Sequence, residues 1–346
     1  MIDWTKLENA PRVLLEAELR TAQGERFQPT GFADLGAAQY QRPNIEGQGA
    51  TDMLLVESAQ SVANRLERTA LDGDGPDIAP ELAGLPYVAA TLEGVDPAVR
   101  TSSLVEAHRI GAPYFLLNKK FKDRLAAEMK YNPKRPLDWK SIYATLFKYD
   151  PNSLLHGVFL SLLEGGRVRA PRAVTGFIEA EDVKKVISGG VKNSPVDPKG
   201  ELQVAEAEAG EKREKGIYSN VPYTRIEFTA RRIVAYFNID TALIRGYKLP
   251  DAGTRLLVAL ALLKIRRFLS AHLRLRTACD FALVGDVTAS APAGFAVPSE
   301  AELLAAVREG IKAAKPLFAD PAVTEFVTVV KEVKKKADEQ AEAAGA

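Results

Sequence analysis

DAGTRLLVALALLKIRRFLSAHLRLRTACDFAL, residues 251–283, changes its hydrophobic period once, and that change decides the fold. The run from Leu256 to Leu263 is apolar on every side, so a helix over residues 251–270 has to be buried all round rather than laid on a surface. Beyond it, Leu273, Leu275, Cys279, Phe281 and Leu283 alternate with Arg274, Arg276, Asp280 and Ala282, the period of a half-buried strand. Upstream, residues 223–240 also have strand composition, and their alternation slips phase at Arg231 and Arg232 as a bulge would cause. The C-terminal half thus reads strand, helix, strand.

The N-terminal half reads the same way. Residues 12–19 predict a strand. Residues 52–71 predict a helix, because Leu54, Leu55, Ala59, Val62 and Leu66 recur at helical spacing. Residues 167–179 alternate again, Val168, Ala170, Val174 and Ile178 against Arg167, Arg169 and Thr175, with Pro171 marking an edge or a bulge. Two such units predict an α/β fold, a ferredoxin-like sandwich with large insertions, in a single elaborated domain over residues 1–346.

The insertions differ in kind. Residues 71–100, rich in Gly, Pro and Asp, predict a surface connection with one short strand near residues 87–91. Helices are expected over residues 119–130, 137–148 and 152–164, punctuated by Pro133, Pro136 and Pro151. Residues 188–220 hold too few large apolar side chains to supply a core, so they are either disordered or a projecting hairpin ordered by a partner. C-terminal helices are expected over residues 299–346, the first ending near Lys315 and the second starting at Pro321.

Composition narrows the chemistry. Hydrophobic residues at 46% and charged residues at 26% describe an ordinary globular chain. A lone cysteine, Cys279, excludes an internal disulfide and a cysteine-based zinc site. The first residues lack the basic and apolar regions of a secretory signal, and the longest apolar run is too short to span a bilayer. A cytoplasmic protein without a membrane partner is the expectation. No GxxxxGK[ST], GxGxxG, HExxH or GxSxG motif is present, and His108, His156 and His272 lie far apart without ligand spacing. Neither a catalytic residue nor a metal or other cofactor is therefore assigned.

The 46 Lys and Arg nearly balance the 45 Asp and Glu, so only their distribution can point to a partner. Four basic pairs stand on or beside expected sheet elements: Lys119 with Lys120, Arg167 with Arg169, Arg231 with Arg232, and Arg274 with Arg276. Each pair is either a solvated face or a set of phosphate contacts. The loop at residues 21–40 joins Gly24, Gly31 and Gly36 to Arg26, Gln28, Gln39, Phe27, Phe32 and Tyr40, so its aromatics serve either packing or base stacking.

Five segments carry a resemblance: AELRTAQGERFQPTGFADLGAAQY at 17–40, MLLVESAQSVANRLE at 53–67, SLVEAHRI at 103–110, YDPNSLLHGVFLSLL at 149–163 and RVRAPRAVTGFIEA at 167–180. Together they resemble the backbone (Cas7-like) subunits of type I-G CRISPR effectors, formerly type I-U, in the RAMP superfamily. The resemblance implies a modified RNA-recognition-motif core and copies of the chain stacked along a CRISPR RNA, presenting it to a target DNA strand. It also implies a large subunit, Cas5-like and Cas6-like subunits and a recruited helicase-nuclease as partners. A thumb-like hairpin is expected from such subunits, and residues 188–220 are the candidate. The RNA contacts that it points to are Gln23, Arg26, Gln28, His108, Arg109, Asn118, Lys119, Lys120, Arg167, Arg169 and Arg172. Related subunits include ribonucleases, which keeps His108, His156 and Asp34 as the residues of a rival, catalytic reading.

Overall fold

A computed structural model describes residues 1–32, 34–44, 47, 49–196, 220–271 and 273–331. Along the chain come β1 (Val13–Thr21), β2 (Gln39–Pro43), β3 (Ala50–Glu57), α1 (Ala59–Arg68), β4 (Tyr87–Glu93) and β5 (Val99–Ser102). A helical stretch follows, α2 (Lys119–Glu128), α3 (Trp139–Tyr149) and α4 (Pro151–His156), and then β6 (Val174–Glu181), β7 (Lys184–Asn193), β8 (Asn220–Thr229) and β9 (Arg232–Ile239). The chain continues through α5 (Asp251–Ser270), β10 (Leu273–Arg276), β11 (Cys279–Leu283), β12 (Thr288–Ala291), α6 (Glu300–Ala314) and β13 (Val323–Val329).

The main sheet is antiparallel in the order β10-β11-β1-β9-β6-β3-β2, with β12 also on β1. Within it β1, α1 and β6 form one unit with β9 between its strands, while β9, α5 and β11 form another with β1 between. This interleaving is the split βαβ arrangement of a ferredoxin-like sandwich, as the two periodic halves predict. One side of the sheet is the core: Val13, Leu15, Ala17 and Leu19 of β1 and Ile233, Ala235, Phe237 and Ile239 of β9 all point there. The helix α5 spans residues 251–270 and buries its whole apolar run. It lies so close to α6 that a Cβ on Gly310 would stand 3.1 Å from Leu256, so glycine there sets the helix spacing.

Several expectations are corrected. Residues 52–71 are a strand followed by a helix, because Ser58, at extended dihedrals, accepts the backbone N–H of Ser61 and starts α1 afresh. The helix expected over residues 152–164 ends at His156, since Gly157 takes φ +81°. Residues 273–283 are a hairpin rather than one strand, turning at Ala278 with φ +58°. Residues 223–240 split at Arg231 into β8 and β9, which belong to different sheets, so the phase slip is a break and not a bulge. The helix expected from Pro321 is the strand β13, parallel to β4, because Val323, Phe326, Val327 and Val329 suit a pleated surface; residues 332–346 lie outside the described residues. The same pairing makes residues 71–100 more than a connection, since β4 and β5 join β13 in a separate three-stranded sheet.

The candidate thumb begins as a two-stranded ribbon. Its arms β7 and β8 pair from Lys184 with Thr229 to Asn193 with Asn220, and residues 197–219 lie outside the described residues. Ile187, Val191, Tyr223 and Ile226 stay exposed along it, so the arms leave the core rather than cover it.

Candidate nucleic-acid interface

The four basic pairs divide by their partners. On the sheet, Arg232 sits 3.4 Å from Glu181, 3.8 Å from Glu18 and 4.0 Å from Glu16, and Arg231 sits 3.3 Å from Glu181. Arg274 faces Asp280 at 3.8 Å, and Arg276 is paired with the buried carboxylate of Glu57. The pairs at the surface add little stability, and every one of these pairs, that with the buried Glu57 included, spends a cation that a phosphate would need. Lys119, Lys120, Arg167 and Arg169 have no carboxylate within 4.0 Å among the described residues, and neither do Lys134, Arg135, Lys140 and Arg172. Residues 118–172 hold twelve Lys and Arg against five Asp and Glu, a net +7 inside a chain of net +1.

Local structure explains how these cations are displayed. Asn118 caps α2 by accepting the Phe121 N–H at 3.1 Å, which directs its side chain to the helix rather than to a partner. Lys119 and Lys120 stand exposed in the first turn, where cations oppose the helix dipole, so helix stability does not account for them. The Arg167 guanidinium donates to the carbonyls of Pro133 at 2.8 Å and Arg135 at 2.9 Å, which draws the Lys134–Arg135 turn against it. The Arg169 guanidinium lies over the Phe159 ring at 4.4 Å, held there by the pairing of residues 169–170 with 158–159. Arg172 packs against Gly157, where a Cβ would meet its Cγ at 3.1 Å.

Arg109 belongs to a different group. It is buried at φ +52°, donates to both carboxylate oxygens of Glu67 at 2.6 and 2.8 Å, and donates to the Gly157 carbonyl at 2.9 Å. Its guanidinium ties Glu67 to the Gly157 carbonyl instead of facing solvent. His108 beside it is exposed.

The loop at residues 21–28 lies elsewhere and grips the root of the ribbon. Phe27 and Phe228 exchange two backbone hydrogen bonds of 2.9 Å, and Arg26 pairs with the buried Glu227 at 3.1 Å. Gln28 donates its N–H to the Ala278 carbonyl at 2.7 Å, and Gln23 is exposed. Phe27 is wholly buried, edge-on to Phe281 at 5.5 Å, so packing is its role; Tyr40 donates to Glu179 at 2.5 Å. The side chain of Phe32 lies outside the described residues.

A buried polar cluster joins α4 to α5. Lys264, 2% exposed, donates to Asn152 Oδ1 at 2.6 Å and lies 3.1 Å from His156 Nε2. Burial, with the charges of Lys264, Arg109 and Arg172 adding to it, holds the His156 imidazole well below its ordinary pKa, so it is neutral and out of solvent reach. Burial likewise pushes Asp150 up to about 6, against the hydrogen bonds from Ser153 and Ser103. Burial lowers Lys264 from 10.5 to about 8. Below pH 8 the folded chain therefore carries a charge that the unfolded chain holds at less cost, and this penalty fades as pH rises to 10.5. Lys264→Met should remove that dependence: urea titrations from pH 8 to 10.5 should show the wild type gaining about 3 kcal/mol on the variant. A constant difference across that range would contradict the buried, charged amine.

Among the described residues no group of three or more His, Cys, Asp or Glu could hold a metal ion, and no helix is long and apolar enough to cross a membrane. Asp34 is exposed in the turn between the short strands Gly31–Phe32 and Gly36–Ala37.

Sequence reasoning missed Lys134, Arg135 and Lys140, which lie in the same net-positive segment. The adjacent pair Lys134–Arg135 and the net charge of a sliding window were the signals that could have found them.

Comparison with known proteins gives a family model described as CRISPR-associated protein GSU0053, which matches residues 13–185. No curated protein matches the chain. One similar solved structure is a chain of a CRISPR RNA-guided surveillance complex, pre-nicking, with 18% identity over 79% of this chain and 74% of that one and a TM-score of 0.39. Another is Csc2 of Thermofilum pendens, with 10% identity over 92% of this chain and 80% of that one and a TM-score of 0.33.

Proposed function

The chain belongs to the CRISPR-associated protein GSU0053 family, and on that premise we propose that it is a guide-RNA-binding backbone subunit of a CRISPR effector complex. The observation that carries the proposal is the contrast between cations: Arg231, Arg232, Arg274 and Arg276 are matched by carboxylates, while Lys119, Lys120, Lys134, Arg135, Lys140, Arg167, Arg169 and Arg172 have none within 4.0 Å among the described residues. Single-stranded RNA needs a basic path along its backbone and tolerates any sequence that stacks. Copies of the chain stack along the guide, and the ribbon of β7 and β8, rooted by Arg26 and Phe27, acts as the thumb that marks intervals on it. The assembly is of type I-G, cytoplasmic, and pairs the guide with a target DNA strand. The chain itself is a scaffold; cutting belongs to another subunit.

Titration of single-stranded RNA at several salt concentrations tests the surface. Each phosphate contact contributes about 0.7 to the log–log slope on a single strand, so a basic path of the expected kind gives a steep slope. Arg274→Ala and Arg231→Ala should leave it unchanged, because those guanidiniums already face carboxylates. A slope near zero, or one that the sheet variants flatten, would contradict the assignment. The catalytic rival is tested in the same preparation by adding RNA complementary to the guide. Intact RNA is the expected result, and clean cleavage abolished by Asp34→Ala would overturn the scaffold reading.

A further inference from the structure

The chain has two tryptophans, and they are used differently. Trp4 has the Arg255 guanidinium over its ring at 5.4 Å, so that face is taken. Trp139, at the start of α3, is 38% exposed and heads a ladder of three rings. It stacks on Tyr143, one helical turn on, at 5.3 Å between centroids and 28° between planes. Tyr143 in turn leans on Tyr247 at 4.5 Å. Tyr247 is fully buried and donates to the Leu154 carbonyl at 3.0 Å, which anchors the ladder in the core.

Burial alone does not explain the outer ring. Tryptophan is seldom wholly buried, and what singles this ring out is that it is stacked in place on Tyr143 within the net +7 segment. Its sequence neighbours Lys134, Arg135 and Lys140 are exposed and lack carboxylate partners among the described residues. A flat, pre-ordered ring with free cations at neighbouring positions along the chain suits an unstacked nucleobase on the ring and its phosphates on the cations.

We propose that Trp139, braced by Tyr143 and Tyr247, is a stacking platform for one base of single-stranded RNA. The proposal rests on the RNA-binding reading above and adds to it a contact with a base rather than with the backbone.

Fluorescence separates the two. In the full chain carrying Trp4→Phe, Trp139 is the remaining tryptophan, so emission quenching reports on it alone. Oligouridine should quench that emission, whereas an abasic ribose–phosphate oligomer of equal length should bind with the same salt slope, without quenching and about tenfold more weakly. Trp139→Ala should weaken oligouridine binding about tenfold and leave the abasic oligomer unaffected, and Trp139→Phe should restore most of the loss. Salt-dependent binding of oligouridine without quenching, or an equal loss on both oligomers, overturns the platform while leaving the RNA reading intact. No salt-dependent binding of either oligomer overturns both. The comparison of the two oligomers on the Trp4→Phe chain decides the matter even where Trp139→Ala does not fold.

Discussion

Replacing Lys119, Lys120, Arg167 and Arg169 together by alanine is expected to flatten the salt dependence of RNA binding by about 3 in log–log slope, four contacts at about 0.7 each. Between about 50 and 200 mM salt the wild type should then lose roughly fiftyfold more affinity than the variant. The four side chains are exposed and make no ion pair among the described residues, so removing their charge takes away no carboxylate partner. Thermal midpoints should stay close together, with one exception that can be checked separately. Arg167 also ties the Pro133–Arg135 turn through two hydrogen bonds, and Arg167→Lys should show whether that tether or the charge matters. A variant whose slope matches the wild type would move the RNA to another surface.

Arg109→Ala should behave in the opposite way, costing about 3–5 kcal/mol of stability and nothing in salt slope. The guanidinium is buried against Glu67 and the Gly157 carbonyl, so its removal strands a carboxylate that has little access to water. Glu67→Gln should be costly for the mirror reason, while a paired replacement by apolar residues of similar size should recover much of the loss. Urea denaturation measures the shift in midpoint, and RNA titration below the transition measures the slope. An Arg109→Ala chain of near wild-type stability with a flattened slope would show that the guanidinium reaches RNA, as the sequence alone suggests.

These two outcomes mark what the sequence could and could not say. The helix over residues 251–270 was legible because eight successive apolar residues have one solution in water, burial on all sides. The strands around it were legible as extended chain but not in their division, because residues 273–283 fold back as a hairpin and residues 223–240 split between two sheets. The strand β13 was not: Val323–Val329 is followed by an Ala-, Glu- and Lys-rich tail, and only its pairing with β4, more than two hundred residues away, settles its conformation. Ser58 and Gly157 fix element ends through a cap and a positive φ, local signals that the hydrophobic period overrode.

The site divides along the same line. Residue type and spacing put Arg167, Arg169, Arg231, Arg232, Arg274 and Arg276 on an equal footing, and only tertiary contacts tell them apart. Glu181 reaches Arg231 and Arg232 from a neighbouring strand, and Glu57 reaches Arg276 from a distant one. Arg109 looked like a surface cation beside His108 until its backbone turned it inward. The loop at residues 21–28 also has a task that residue type does not show, since Arg26 and Phe27 hold the ribbon's root.

A chain that coats a guide RNA leaves the cell with that RNA bound. Purified at low salt, the full chain should show a high ratio of absorbance at 260 nm to that at 280 nm, elute as elongated multimers that collapse on ribonuclease treatment, and yield CRISPR-derived RNA on sequencing. A monodisperse monomer free of nucleic acid under the same conditions would mean that the chain does not coat RNA.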